Sequence, residues 1–407
     1  MSLPKPKKYI KEFENMAFGM FVHFGLYSIL EQGEWTARLA NIPESEYKTL
    51  MNKFNPKSMS DIVNTAKSAG AKYICLTTRH HDGFSLYDTC GLNEYDAPHS
   101  AAGRDLVREF VDECRKNDIV PFFYHTTMEF WNKEFDNDFA AYLEYLRKSV
   151  EILCTRYGKI GGFWFDGNWS KPDSDWEEDK LYKMIRKYQP DAMIINNTGL
   201  QNLGSRGNEE IDSVTFERGK PFIVNQDGRK KYIAGEVCDA VNNHWGRAHD
   251  FNCKSPGYLI KELCDSRKFG ANLLLNIGPL ADGSVSDYDK SVFSIIGKWM
   301  ELFGEAIYNP RPYWTKQDSN CFVLKNDRSL YFFYYDLCRR GSESVSVYGG
   351  SEGKQVFDNF SDKIKKIYWL DNHEMLEFEQ NNDSVTVDFT GYDYGYDYCV
   401  RVAKAEI

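Results

Sequence analysis

The chain has 407 residues, 42% of them hydrophobic and 27% charged, enough for one large domain plus a smaller one and far from the composition of a disordered or fibrous protein. A net charge of -10, with basic residues dispersed in short groups such as "PKPKK" and "GRKK", leaves it a poor candidate for nucleic acid or an anionic membrane surface. The ten cysteines include no Cys-x-x-Cys pair, so neither a zinc framework nor a disulfide scaffold is expected. Aromatic residues reach 15%; such rings pack cores, and they also stack on the C–H faces of sugars.

The N-terminal "MSLPKPKKYIKEFEN" is basic without the apolar segment of a signal peptide, and no run approaches the roughly 18 apolar residues that span a bilayer. The expectation is a cytoplasmic chain, or a secreted one if a signal peptide has been removed. From residue 16 onwards, apolar runs alternate with amphipathic stretches. The runs are "MAFGMFVHFG", "AKYICLTTRHH", "DIVPFFYH", "GGFWFDG", "AMIINN", "DSVTFE" and "NLLLNIGP". Between them "SMSDIVNTAKSAG", "DLVREFVDECRKND", "FAAYLEYLRKSVEILCTRYG" and "DWEEDKLYKMIRKYQ" place apolar residues at helical steps. Repeated strand and helix, with strands apolar throughout, predict a parallel sheet buried on both faces, and the size fits a (β/α)8-like (TIM) barrel. No Gly-x-Gly-x-x-Gly opens a helix after the first strand, against a dinucleotide fold.

At about residue 311 the texture changes. "CFVLKNDRSLYFFYYDL", "SVSVYGG", "KIKKIYWLDN" and "SVTVDFTGYDYGYDYCVRV" read as short antiparallel strands. The expected organisation is a catalytic (β/α)8-like domain over 1–310 and a C-terminal antiparallel β-sandwich over 311–407. Its tyrosines are compatible with sugar binding or with bracing the barrel, and bracing is preferred.

Barrel chemistry collects at the C-terminal ends of the strands, so what ends each run matters. The first run ends in His23, the second in His80 and His81, the third in Tyr124 and His125, and the fourth in Asp166. Asp166 sits between "FWF" and "GNW". Asp-Gly is a common turn pair, but aromatic neighbours would hold the carboxylate partly out of water and alter its reactivity. Two readings compete. A metal site would want a His-x-His pair where "VHFG" offers one histidine, and adjacent His80 and His81 point to opposite faces of an extended chain. A sugar site would use the histidines and aromatics around the ring and two carboxylates for the chemistry. Glu217 in "DSVTFERGKP" and Glu236 in "IAGEVCDAVNNHWG" are the candidates for the second carboxylate.

"FGMFVHFGLYSILEQGEW", "AKYICLTTRHHDGFSLYD", "GRDLVREFVDECRKN", "GGFWFDG" and "NLLLNIGPLADGSV", in this order and at these spacings, resemble the α-L-fucosidases of glycoside hydrolase family 29 over roughly residues 10 to 305. The resemblance implies a retaining exo-glycosidase acting on terminal α-L-fucose of fucosylated glycans, without metal or other cofactor. It implies Asp166 of "W-x-D" as nucleophile, and His23, Glu34, Trp35, His80, His81 and Tyr124 as residues of the fucose pocket. Trp164 and Trp245 join the same set, and Trp35 and Phe165 are expected to pack on the sugar's C–H face and methyl. Glu217 is the first candidate for acid/base because it ends a strand; Glu236 is the second. Where many members carry "N-D-R-W-G" this chain has "NNTGL" at 196–200, so Arg218 or Arg247 is expected to stand in for a missing sugar-binding arginine. A fucose-binding protein without turnover and a metal-dependent barrel hydrolase remain as alternatives. Linkage preference and oligomeric state are not legible.

Overall fold

The computed structural model describes residues 3–341 and 349–407. Eight strands close in sequence order into a parallel barrel: β1 (Phe18–Val22), β2 (Tyr73–Arg79), β3 (Val120–Thr126), β4 (Gly162–Asp166), β5 (Met193–Asn196), β6 (Ser213–Glu217), β7 (Ala234–Ala240) and β8 (Asn272–Ile277). Closure runs from Phe18 opposite Leu273 to Val22 opposite Ile277. All seven apolar runs became strands. The eighth, β7, was absent from that series because Glu236 and Asp239 interrupt its hydrophobic pattern, yet every residue of it is buried.

The four amphipathic stretches form the helices Ser60–Ser68, Leu106–Lys116, Phe139–Arg156 and Glu178–Tyr188. Each lays its apolar stripe on the outer face of the barrel, and side chains such as Asp105 and Asp138 cap free backbone N–H groups at helix starts. Pro256–Lys268 and Asp287–Phe303 follow β7 and β8. No helix follows β5 or β6. Residues 197–212 and 218–233 are loops without a helical period, the first rich in Gly and Asn.

Alternation along each strand decides what the barrel holds. In β4, Phe163 and Phe165 face out and stack on each other, with centroids 5.6 Å apart, while Trp164 and Asp166 face in. The inward rings Phe21, Tyr73, Phe122, Tyr124 and Trp164 fill the interior. Gly162 makes room for them: a Cβ there would lie 2.7 Å from the Phe122 ring. The helix Lys8–Met16 closes the N-terminal end with Tyr9, Ile10 and Phe13.

Beyond the barrel, β9 (Arg311–Thr315), β10 (Cys321–Lys325), β11 (Ser329–Tyr335), β13 (Lys366–Trp369) and β16 (Val400–Glu406) form one antiparallel sheet; β12 (Gly353–Asp358), β14 (Phe378–Gln380) and β15 (Ser384–Phe389) form another. Val323, Phe332, Phe357, Val387 and Phe389 make the core between them. The opposite face of the larger sheet, through Phe322, Leu324, Phe333 and Val402, packs into the barrel's helical layer. Burial on both faces explains why β10 and β11 are apolar throughout, whereas β15 alternates. Residues 344–348 of the run "SVSVYGG" lie outside the described residues. No helix among the described residues is long and apolar enough to cross a membrane.

Candidate active site

The C-terminal ends of the strands surround a cavity of about 1430 Å³. His23, Glu34, Trp35, His80, His81, Tyr124, Trp164, Asp166, Glu217, Arg218 and Trp245 all line it; Glu236, Arg247 and Phe165 do not. Strand parity accounts for most of this sorting. His23 continues the inward series of Phe21, Tyr124 that of Phe122, and Glu217 that of Ser213 and Thr215. His125 has the outward parity and is buried away from the cavity, with Nε2 2.7 Å from Ser149 Oγ. Phe165 faces outwards too, which corrects its expected contact with the sugar.

His80 and His81 are adjacent, so a regular strand would separate them. The register of β2 with β3 shifts between Thr77 and Arg79, and the chain turns at once, Gly83 N–H donating to His80 O at 3.0 Å. This bend brings both rings to the cavity, with centroids 4.3 Å apart.

Asp166 is surrounded by donors. Tyr124 Oη donates to Oδ2 at 3.1 Å, and His81 Nε2 lies 3.4 Å from the same oxygen. Trp169 Nε1 donates to Oδ1 at 2.8 Å and Asn197 Nδ2 at 3.2 Å. Burial by itself would raise the pKa of this carboxyl, but the His81 contact and charge, then Trp169 and Asn197, outweigh it and hold the group below the ordinary aspartate value. Behind it, Gly167 turns the chain away at φ 123°, and a Cβ would meet Met128 Cγ and Thr127 Oγ1 at 2.8 Å.

Glu217 behaves oppositely. Burial, and next the charge of Asp166, raise it to about 7, against the Asn197 hydrogen bond and Arg218. The Asn197 amide donates to Glu217 Oε2 at 2.7 Å as well as to Asp166. Laid end to end, those two bonds limit the bridged carboxylate oxygens to about 6 Å apart.

Glu236 is raised to about 7 as well, by burial against the hydrogen bonds of Tyr73 and Trp164. Its position differs. It accepts from Tyr73 Oη at 2.6 Å and Trp164 Nε1 at 2.9 Å inside the barrel. The register pairs Glu236 with Thr215 and Glu217 with Cys238, so Glu236 lies one inward layer below Glu217.

The remaining walls offer polar groups and aromatic faces. Asn276 Nδ2 donates to the Trp245 carbonyl at 2.7 Å, which leaves Asn276 Oδ1 to accept from His23 Nδ1 at 2.7 Å. Nε2 of His23 is therefore a free acceptor, and burial lowers its proton affinity to about 3, opposed by the Asn276 bond. Glu34 is anchored by Gly246 N–H at 2.7 Å. Trp35 lies against His81 and Phe130, each 5.2 Å away between centroids. Arg218 stands 4.7 Å over the Trp245 ring and donates to Asn243 O, whereas Arg247 pairs with Glu31. Trp169 and Asn197 are the contacts that sequence reasoning missed. Asn197 was within reach of the rule applied elsewhere, since it closes the run "AMIINN" at the inward parity. Among the described residues, no group of three or more His, Cys, Asp or Glu is placed to hold a metal ion.

Residues 2–305 match the family model described as Alpha-L-fucosidase. The chain belongs to the α-L-fucosidase family of glycoside hydrolases. It is 26% identical to the tissue alpha-L-fucosidase of Bos taurus over 347 residues, covering 76% of this chain and 70% of that one. Alpha-L-fucosidase isoenzyme 1 from Paenibacillus thiaminolyticus superposes with a TM-score of 0.83 at 29% identity over 98% of both chains. An alpha-L-fucosidase from Bacteroides thetaiotaomicron, solved as a trapped covalent intermediate with 2-fluoro-fucosyl fluoride in a Glu-to-Gln variant, has a TM-score of 0.81 at 22% identity and covers 100% of this chain and 97% of its own. Family membership makes the chain a glycoside hydrolase, and its barrel with a C-terminal antiparallel domain is shared with these fucosidases.

Proposed function

We propose that this protein is a retaining exo-α-L-fucosidase in which Asp166 is the nucleophile and Glu217 the acid/base. The observation that carries the assignment is the pair itself: two carboxyls tied to one amide in the family's pocket, one held ionised and the other holding its proton near neutrality. Opposed protonation states are what double displacement needs.

In the first step an Asp166 oxygen attacks the anomeric carbon while the bond to the leaving oxygen breaks. Glu217 gives its proton to that oxygen. Esterification removes the Asp166 charge, one of the causes that raise Glu217, so Glu217 becomes the stronger acid and stays ionised as a base. It then takes a proton from water as the water attacks the anomeric carbon, and the carbon–oxygen bond to Asp166 breaks. Fucose leaves with its configuration retained. Neutral His23 accepts a sugar hydroxyl at Nε2; Glu34, His80 and Arg218 serve other polar groups; and Trp35, Trp164 and Trp245 cover the C–H face and methyl. Residues 1–310 carry this chemistry. Residues 311–407 brace it through the sheet that packs on the helices.

The test is Asp166→Gly on an aryl α-L-fucoside. The expected outcome is loss of activity, restored by azide with formation of a β-fucosyl azide; full activity without azide would remove Asp166 from this role.

A further inference from the structure

We propose that Asn197 is a positioning residue of the reaction, one neutral amide that sets the direction of both the attacking carboxylate of Asp166 and the proton-bearing carboxyl of Glu217. The proposal rests on the roles assigned above to those two residues.

Which end of the amide faces the carboxylates is fixed by its other partners. Gly199 N–H, which can only donate, points to Asn197 Oδ1 at 3.3 Å, and Thr215 Oγ1 donates to the same atom at 2.9 Å. The nitrogen end therefore carries its two hydrogens to Asp166 Oδ1 and Glu217 Oε2. The residue is 4% exposed, and its backbone N–H bonds to Phe165 O at 2.8 Å, one residue before the nucleophile. Backbone, oxygen and nitrogen are thus all committed, and the side chain has no second rotamer that keeps these bonds.

The consequence for Glu217 is directional. With Oε2 accepting from Asn197, the carboxyl proton resides on Oε1, which leaves that hydrogen free for a leaving oxygen. After transfer, the same bond holds the carboxylate in place for water. For Asp166, the shared amide holds Oδ1 while Tyr124 and His81 face Oδ2. A lysine in this place would cancel charge and bring Glu217 down as an acid; an amide orients both groups and leaves the repulsion that keeps Glu217 protonated. The other titratable and charged groups facing the pair are His23 beyond β1, His81 beyond β2, Tyr124 on β3, Glu34, Arg218 and Cys238 on β7. None of them bonds to both carboxyls.

The experiment compares wild type, Asn197→Ala and Thr215→Val on an aryl α-L-fucoside, reading kcat, KM and the pH profile of kcat/KM, with melting curves as a check of folding. A donor to a carboxylate lowers its pKa, so removing a shared donor moves both limbs to higher pH. Asn197→Ala is expected to lower kcat by about 10²-fold, to leave KM within about a factor of two, and to shift the acid and alkaline limbs together towards alkaline pH. Thr215→Val, which frees one of the two anchors on Oδ1, is expected to shift them the same way by less. If Asn197→Ala does not fold, Asn197→Ser carries the test: its hydroxyl can serve one carboxyl at a time, so one limb moves and the other stays. A fall in kcat with both limbs unmoved would mean a merely structural role, and unchanged kcat would mean none; either overturns the proposal alone. A wild-type enzyme without α-fucoside turnover would overturn the assigned function, and this proposal with it.

Discussion

Glu217→Gln is the substitution that separates the two candidate acids, because position in a pH profile cannot: Glu217 and Glu236 both rise to about 7. For Glu217 the rise from 4.5 to about 7 corresponds to roughly 3 kcal/mol in favour of the protonated form, at about 1.36 kcal/mol for each tenfold change. At pH 7 about half the molecules then carry the proton on this carboxyl, against about one in 300 for an ordinary glutamic acid. The variant keeps size and one acceptor oxygen but has no proton to give. On a fucoside with a poor leaving group, kcat/KM is expected to fall by about 10² to 10⁴ and its alkaline limb near pH 7 to vanish. On an activated aryl fucoside the first step runs without an acid, so kcat/KM stays near wild type; kcat falls because the second step has lost its base, and a burst of phenol appears. Glu236→Gln is expected to keep the limb and to raise KM, since its carboxyl supports Tyr73 and Trp164 beneath the pocket. If the limb instead survives in Glu217→Gln and disappears in Glu236→Gln, the assignment is reversed.

Two further outcomes are expected. Gly167→Ala forces a side chain to adopt φ 123° and places its Cβ 2.8 Å from Thr127 Oγ1 and Met128 Cγ; a cost of about 1–3 kcal/mol and a shifted Asp166 should lower both the melting temperature and kcat, and wild-type values would show that the turn tolerates a Cβ. Glu236, folded at about 7 against 4.5 for the free group, contributes stability that is fully present below pH 4.5 and is lost as pH rises through 7. The melting temperature of wild type relative to Glu236→Gln should therefore fall between pH 4.5 and 7.5, and a constant difference would contradict the burial argument.

The barrel was legible because seven of its strands are apolar on both faces and four intervening helices carry a clean stripe. The interruptions were not. In β7 a buried glutamate and aspartate imitate a surface segment, although Glu236 is covered by Tyr73 and Trp164. The missing helices after β5 and β6 were visible only as an absence of period, and the loop after β5 lines the cavity beside β4 and β6. In the sheet beyond the barrel, the apolar runs of β10 and β11 report two packed faces, one of them against the helices.

Within the site, knowing which residues end strands was insufficient without knowing which way each faces. Counting in steps of two from the inward residues of each strand admits His23, Tyr124, Asp166, Asn197 and Glu217, and rejects His125 and Phe165. The spacing was available from the sequence; which parity faces inwards was not, because the strands are apolar on both faces. Two further things were beyond it. The bend that turns both His80 and His81 inwards comes from a register shift between β2 and β3, which depends on a neighbouring strand. The choice between Glu217 and Glu236 depends on another register, because both face inwards and both are pushed up by burial. Pairing Glu217 with Cys238 and Glu236 with Thr215 sets one acid at the rim with Asp166 and the other a layer down among tyrosine and tryptophan. Depth along the barrel axis therefore separates a carboxyl that lines the cavity from one held beneath its floor by Tyr73 and Trp164.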